Sequence, residues 1–140
     1  MLFRSFSKCS VAEIVNAYDN TMLYTDHVLA RTIDLLDERA ASLHGALWYV
    51  SDHGESLGEN GVFLHALPYA IAPDLQTHVP MVFWQGQGFE QRLGVDSSCV
   101  AANRHRPISH DHWFHSVLGL LDVVTAARRA ELDVFGVCRR

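Results

Sequence analysis

Asp52, His53 and His65 are residue types from which proteins build metal centres, and the first two are adjacent. A carboxylate and an imidazole supply the oxygen and nitrogen donors that zinc accepts, and a catalytic zinc keeps one position open for a reacting group. Glu55 and Glu59 stand near enough along the chain to accept a hydrogen bond from a ligand histidine and so orient its ring. Glu59 lies within Gly58-Glu59-Asn60-Gly61 and suits a turn better. The competing reading is that Asp52 caps a bend and both histidines are polar loop residues. Spacing alone leaves the two readings open.

A second histidine cluster, His110-Asp111-His112 with His115, places His112 and His115 one helical turn apart, and such a pair can hold a metal. The bland reading carries more weight here, because Ser109 suits an N-cap and Asp111 suits the positive first turn of a helix. Ser51 and Ser56 flank the first cluster, but no G-x-S-x-G elbow surrounds either, which argues against a serine triad.

The elements that must position these groups can be read around them. Ala46-Leu47-Trp48-Tyr49-Val50 is apolar without alternation and is bounded by Gly45 and a polar turn, the pattern of a buried strand in a parallel sheet. Asp52 and His53 then fall beyond its carboxyl end, where open α/β sheets bind ligands. Neighbouring side chains on a strand point to opposite faces, so the two reach one ion only if the backbone has already left the strand. Gly54 permits that turn. Upstream, Ser10-x-x-Glu13 forms a capping box with Cys9 and Ile14 at the staple positions, which predicts a long amphipathic helix to about residue 40 with its period interrupted near Thr25-Asp26.

Downstream, residues 51–78 read as a long, aperiodic and functional loop. Residues 79–84 read as a second apolar strand with Pro80 at its entry, and the aromatic side chains Trp48, Tyr49, Phe83 and Trp84 are expected to pack in the core. Gln85-Gly86-Gln87-Gly88 lacks the third glycine of a dinucleotide fingerprint and reads as a turn. One helical turn is expected at 89–93, a polar loop carrying Cys99 at 94–107, a helix capped by Ser109, and a short polar helix at 125–132. Residues 1–8 show no period and read as an irregular lead.

With 140 residues, 49% of them apolar, the chain suits one domain with a core. A net charge of -5 and no Lys/Arg cluster argue against nucleic acid as a partner. No apolar run approaches the roughly 18 residues of a membrane span, and no export signal follows Met1, so the expectation for the chain as written is a soluble protein. Cys9, Cys99 and Cys138 lack zinc-knuckle spacing, and composition leaves open three thiols or one disulfide.

The run Tyr49-Val50-Ser51-Asp52-His53-Gly54-Glu55-Ser56-Leu57-Gly58-Glu59-Asn60-Gly61, continued by Leu64-His65, by Pro68-Tyr69-Ala70-Ile71-Ala72-Pro73 and by Val79-Pro80-Met81, closely resembles the lipid A phosphoethanolamine transferases. That family includes the polymyxin (colistin) resistance enzymes and belongs to the alkaline phosphatase/sulfatase superfamily. The likeness extends to Val15-Asn16-Ala17-Tyr18-Asp19-Asn20-Thr21, to Ser109-His110-Asp111 and to Cys138-Arg139-Arg140.

The resemblance implies an α/β fold over residues 9–140: part of an alkaline phosphatase/sulfatase-like three-layer sandwich, lacking its N-terminal strands. It implies a transferase that moves phosphoethanolamine from phosphatidylethanolamine to a lipid A phosphate through a covalent phospho-enzyme, with zinc, at the periplasmic face of the inner membrane. Asp52 and His53 match the family's zinc ligands, and His65 matches the histidine that contacts the phosphoethanolamine group or a second zinc. The family's nucleophilic threonine, its glutamate ligand and another active-site histidine lie upstream of the segment resembled. Thr21, Thr25, Thr32, Thr77 and Thr125 do not stand in the nucleophile's context, so the chain is expected to be inactive alone and to meet the membrane only through a missing N-terminal domain. Cys99 and Cys138 are expected to pair in an oxidising periplasm, leaving Cys9 without its partner. The alternatives are a related phosphatase or sulfatase, and a non-catalytic remnant or interaction fragment.

Overall fold

Ser10 starts the first helix as its neighbours predict: its hydroxyl accepts the Glu13 backbone N–H at 3.3 Å while the Glu13 carboxylate accepts the Ser10 N–H at 2.8 Å. Two donors that a helix end leaves orphaned are thereby met. The computed structural model describes residues 8–140, so the irregular lead expected at 1–8 lies, apart from Lys8, outside the described residues. The helix, α1 (Val11–Glu38), runs unbroken through Thr25 and Asp26, one long helix as expected despite the lapse in its apolar period there. A lapse in apolar period changes which face is wetted, whereas each poor helix former costs the backbone only about 0.7 kcal/mol.

Contacts group the chain into two units, the first comprising residues up to 39 together with 46–85. In it α1 packs on the strand β1 (Ala46–Val50) and on β2 (Ser56–Leu57), which pairs antiparallel with β3 (Phe63–Leu64). A 3₁₀ turn at Glu59–Gly61 joins β2 to β3, with Asn60 at φ 53°. The short helix α2 (Asp74–Thr77) follows. Residues read from sequence as an aperiodic loop thus carry a small hairpin and a helical turn, too short for periodicity to register. The last strand, β4 (Met81–Gln85), begins two residues later than predicted, with Val79 and Pro80 left outside it. Proline has no N–H for a ladder, and its carbonyl instead accepts the Ser51 N–H at 3.2 Å.

The pairing of β1 corrects the sequence reading: it is antiparallel to β4, with Trp48 opposite Phe83 and Val50 opposite Met81. A parallel return needs a crossover of a dozen or more residues laid over the sheet, usually a helix. The connection here carries the β2–β3 hairpin and the four-residue α2, with no helix long enough to lie across the sheet, and folds back at the same end of the strand. Every residue of β1 is half-buried, not fully buried as its apolar run suggested. The Trp48 and Phe83 rings meet edge to face at 6.3 Å, a favoured aromatic geometry.

The second unit comprises residues 40–45 and 86–140. Its helix α3 (Phe89–Leu93) matches the expected turn and lies between Gly88 and Gly94, both in the left-handed region that glycine enters freely. Where a loop was expected, α4 (Ser97–Ala102) forms, because the Asp96 carboxylate accepts the Cys99 N–H at 3.0 Å as an N-cap. The next helix, α5 (Asp111–Leu120), has His110 and not Ser109 at its N-cap. The polar helix expected at 125–132 reduces to a 3₁₀ turn at Ala130–Leu132, since a short polar segment gains too little packing to offset helix nucleation.

Phe89, Val95, Phe135 and Cys138 are buried in this unit, beside an Asp133 carboxylate paired with Arg128 at 2.7 Å. Cys99 and Cys138 are disulfide-bonded and Cys9 is a free thiol, as the resemblance implied. Arg140 joins the Glu90 and Asp96 carboxylates at 2.9 and 2.7 Å. The Ser98 hydroxyl, the Arg140 guanidinium and the Cys99 N–H hold the Asp96 carboxyl well below the usual carboxylate range.

Candidate metal centre

After Val50 the backbone leaves its strand, and local hydrogen bonds set the bend. The Ser51 hydroxyl donates to the His53 carbonyl at 2.8 Å, and the His53 N–H donates to Asp52 Oδ1 at 3.0 Å. The bend brings two neighbouring side chains to one side: Asp52 Oδ2 lies 3.7 Å from His53 Nε2. Two donors about 2.1 Å from a zinc ion at a tetrahedral angle stand about 3.4 Å apart, so the observed separation lets both reach one cation.

Gly54 matters here for a reason that differs from the expected turn. Its φ is not positive, and a Cβ on it would overlap the Leu75 carbonyl oxygen and lie 3.2 Å from Gln76 Cα. Only a hydrogen atom fits where this backbone presses on α2, and the Gly54 N–H donates to the Gln76 carbonyl at 3.0 Å.

His53 also belongs to a group of three. Donor atoms of His53, Glu55 and His65 all lie within 4.8 Å of one another. Glu55 Oε2 is 2.8 Å from His65 Nδ1 and 3.9 Å from His53 Nδ1, and the two imidazoles overlap at a centroid distance of 3.7 Å. A carbonyl cannot donate, so the 3.0 Å contact of His53 Nδ1 with the Gly54 carbonyl places the ring proton on Nδ1 and leaves Nε2 as the donor atom facing Asp52. The Glu55 carboxylate likewise accepts the Nδ1–H of His65 and leaves Nε2 available. Asp52 stands outside the group of three but beside it. Glu55 is the acceptor the sequence suggested for a ligand histidine, and its carboxylate is shielded while both histidines are exposed. Glu59 takes the other role foreseen for it, accepting the Leu57 N–H at 2.9 Å in the hairpin turn.

His53 and Glu55 line a cavity of about 290 Å³ that Tyr18, Met22, Tyr49 and His78 also border. The hydroxyls of Thr21 and Thr32 are turned back on α1, donating to the Tyr18 and Val28 carbonyls at 2.6 and 2.8 Å. Gln76, which spacing offered no reason to single out, is buried directly beneath the centre.

The second histidine cluster is organised differently. His112 Nδ1 accepts the Ser109 N–H at 3.1 Å, and the buried His115 accepts the Arg129 N–H at 3.1 Å. Each Nδ1 is taken by a backbone donor, and Ser109 is held by the histidine instead of capping the helix. Among the described residues, only His53, Glu55 and His65 bring three possible ligand residues together.

The sulfatase family model matches residues 3–123, and the chain belongs to that family. Phosphoethanolamine transferase EptA of Salmonella typhimurium is 45% identical over 133 residues, which are 94% of this chain and 24% of that protein. Phosphatidylethanolamine transferase Mcr-2 of Escherichia coli is 53% identical over 117 residues, 84% of this chain and 20% of that protein. The chain therefore spans about a quarter of the length of the curated relatives it matches. The soluble domain of lipooligosaccharide phosphoethanolamine transferase A from Neisseria meningitidis superposes with a TM-score of 0.92 at 47% identity, over 99% of this chain and 42% of that structure. The same Neisseria protein as an integral membrane protein superposes with a TM-score of 0.91 at 48% identity, over 97% of this chain and 26% of that structure. The expected fold, part of an α/β domain of the alkaline phosphatase/sulfatase kind, is the fold observed. Among the described residues no helix is long and apolar enough to cross a membrane.

Proposed function

We propose that the chain forms part of a zinc-dependent phosphoethanolamine transferase, which moves phosphoethanolamine from phosphatidylethanolamine to a lipid A phosphate at the periplasmic face of the inner membrane. The observation that carries the reading is the convergence of Asp52, His53, Glu55 and His65 just beyond a strand end. Support comes from relatives called phosphoethanolamine transferases, one of them an integral membrane protein acting on lipooligosaccharide by name.

In this reading Asp52 and His53 Nε2 hold the metal, and the Gly54 carbonyl keeps the other ring nitrogen protonated so that the donor atom faces Asp52. Zinc, when bound, lowers the pKa of a hydroxyl nucleophile and neutralises charge on phosphoryl oxygens. Glu55 orients His65 so that its Nε2 meets the phosphoethanolamine group. No threonine of this chain is assigned as nucleophile, and Thr21 and Thr32 spend their hydroxyl protons on helix carbonyls. The 140-residue chain accordingly binds zinc weakly and forms no covalent intermediate by itself.

The test is zinc titration by calorimetry, with a labelled phosphatidylethanolamine analogue added in parallel. Binding lost in His53→Ala and weakened in Asp52→Asn is the expected result. Zinc affinity indifferent to both substitutions would overturn the metal assignment, and stoichiometric covalent labelling of the chain would overturn the missing nucleophile. Assaying the full-length protein on sulfate and phosphate monoesters separates the transferase from a related hydrolase of the sulfatase family.

A further inference from the structure

The pairing that brings Glu55 to His65 is weakly held by its own strands. β2 and β3 are two residues each, and the register partners are Ser56 with Leu64 and Leu57 with Phe63. So short a hairpin is marginal by itself. The backbone on either side of His65 is also strained, with Leu64 at φ 66° and Ala66 at φ 80°, the left-handed region that residues with a Cβ enter at a cost. Such conformations persist only where surrounding contacts over-determine them.

Gln76 supplies those contacts. It is 6% exposed, and it bonds to the hairpin at two points and to the segment leading into it at a third. Its backbone carbonyl accepts the Gly54 N–H at 3.0 Å. Its side-chain amide donates to Ser56 Oγ at 2.9 Å and to the Leu64 carbonyl at 3.1 Å. Gly54 and Ser56 bracket Glu55, and Leu64 immediately precedes His65. One amide therefore grips both members of a register pair, each next to one partner of the Glu55–His65 hydrogen bond. Gln76 is itself fixed, because its N–H donates to the Pro73 carbonyl at 2.9 Å in the first turn of α2. Ser56 is 1% exposed, so little solvent reaches this junction to replace a lost bond.

We propose that Gln76 is a positioning residue for the metal and substrate centre: through Ser56 and Leu64 it sets the approach of Glu55 to His65, and thereby the tautomer of His65. The proposal rests on the functional reading above for the use of the centre, but the positioning itself can be read without any metal.

The experiment uses the whole chain with ¹⁵N-labelled histidine, at a pH where the imidazoles are neutral, and compares wild type with Gln76→Met, which keeps length and loses the amide. Wild-type His65 is expected as the Nδ1–H tautomer donating to Glu55, and the variant as a mixture dominated by Nε2–H, the form favoured in free solution. Gln76→Glu, which cannot donate to the Leu64 carbonyl, should behave like Gln76→Met. If Gln76→Met does not fold by circular dichroism, Ser56→Ala removes a single acceptor and gives the same comparison. An unchanged His65 tautomer in the folded variant overturns the proposal. Wild type that binds no zinc sinks the metal reading alone, and the tautomer still decides the role of Gln76.

Discussion

Replacing Gly54 by alanine tests the close approach that underlies the centre. The added carbon would overlap the Leu75 carbonyl oxygen, lie 2.9 Å from the carbonyl carbon and stand 3.2 Å from Gln76 Cα. Carbon atoms rest about 3.5–4.0 Å apart, so the backbone at 53–55 must retreat from α2 by about 1 Å. That opens the 3.0 Å bond from the Gly54 N–H to the Gln76 carbonyl and loosens the 2.9 Å bond from Gln76 to Ser56. Two bonds at about 1 kcal/mol each, with buried polar groups left unsatisfied, sum to about 2–4 kcal/mol. Alanine offsets about 0.4–1 kcal/mol of this by restricting the unfolded chain. The net expectation is a loss of about 1–3.5 kcal/mol in urea denaturation followed by circular dichroism, with zinc affinity lower by about 10-fold or more. Gly136→Ala is the comparator: its added carbon would meet Asp133 at an ordinary 3.5 Å, so it should stay within about 1 kcal/mol of wild type. Gly54→Ala as stable as wild type, and with the same metal affinity, would refute the reasoning, because the steric conflict would not exist.

The Cys99–Cys138 disulfide closes a loop with a sequence separation of 39, which the chain-entropy estimate converts to about 4 kcal/mol. Urea melts of the oxidised chain against a Cys99→Ala, Cys138→Ala double variant should show that loss, and a difference under about 1 kcal/mol would contradict it. Asp96 titrates far below its unfolded value of about 3.9, so the unfolded chain takes up the proton first: the contribution is whole above about pH 4 and falls away as the pH drops. Asp96→Asn should flatten the acid limb of stability against pH, and an unchanged limb would mean that the Ser98 and Arg140 contacts do not form. Ser10→Ala should cost about 1 kcal/mol by removing the capping box of α1, read as lower helicity at 222 nm and an earlier melt.

The residues that could hold a metal were visible without coordinates because their signal is local. Asp52 and His53 are adjacent, a non-alternating apolar run precedes them, and the structure ends β1 at Val50, where that run stops. Glu55 was legible as an acceptor and Glu59 as a turn residue for the same reason. Gln76 was invisible: a single glutamine between Leu75 and Thr77 has no spacing that marks it, and its partners Ser56 and Leu64 are near it only after folding.

The amino-acid sequence alone determined the elements that nearest neighbours decide: the capped start of α1, the strand Ala46–Val50, the turn of helix at Phe89–Leu93 and the placing of two ligand types beyond a strand end. It also carried the resemblance that paired Cys99 with Cys138. Tertiary structure decided that β1 runs antiparallel to β4, that His53, Glu55 and His65 meet, and that Gln76 clamps the hairpin between them. Caps and apolar runs draw their free energy from residues within a turn or two. Strand direction and ligand convergence depend on closing loops over residues far apart in the chain, and no local pattern encodes which closure wins.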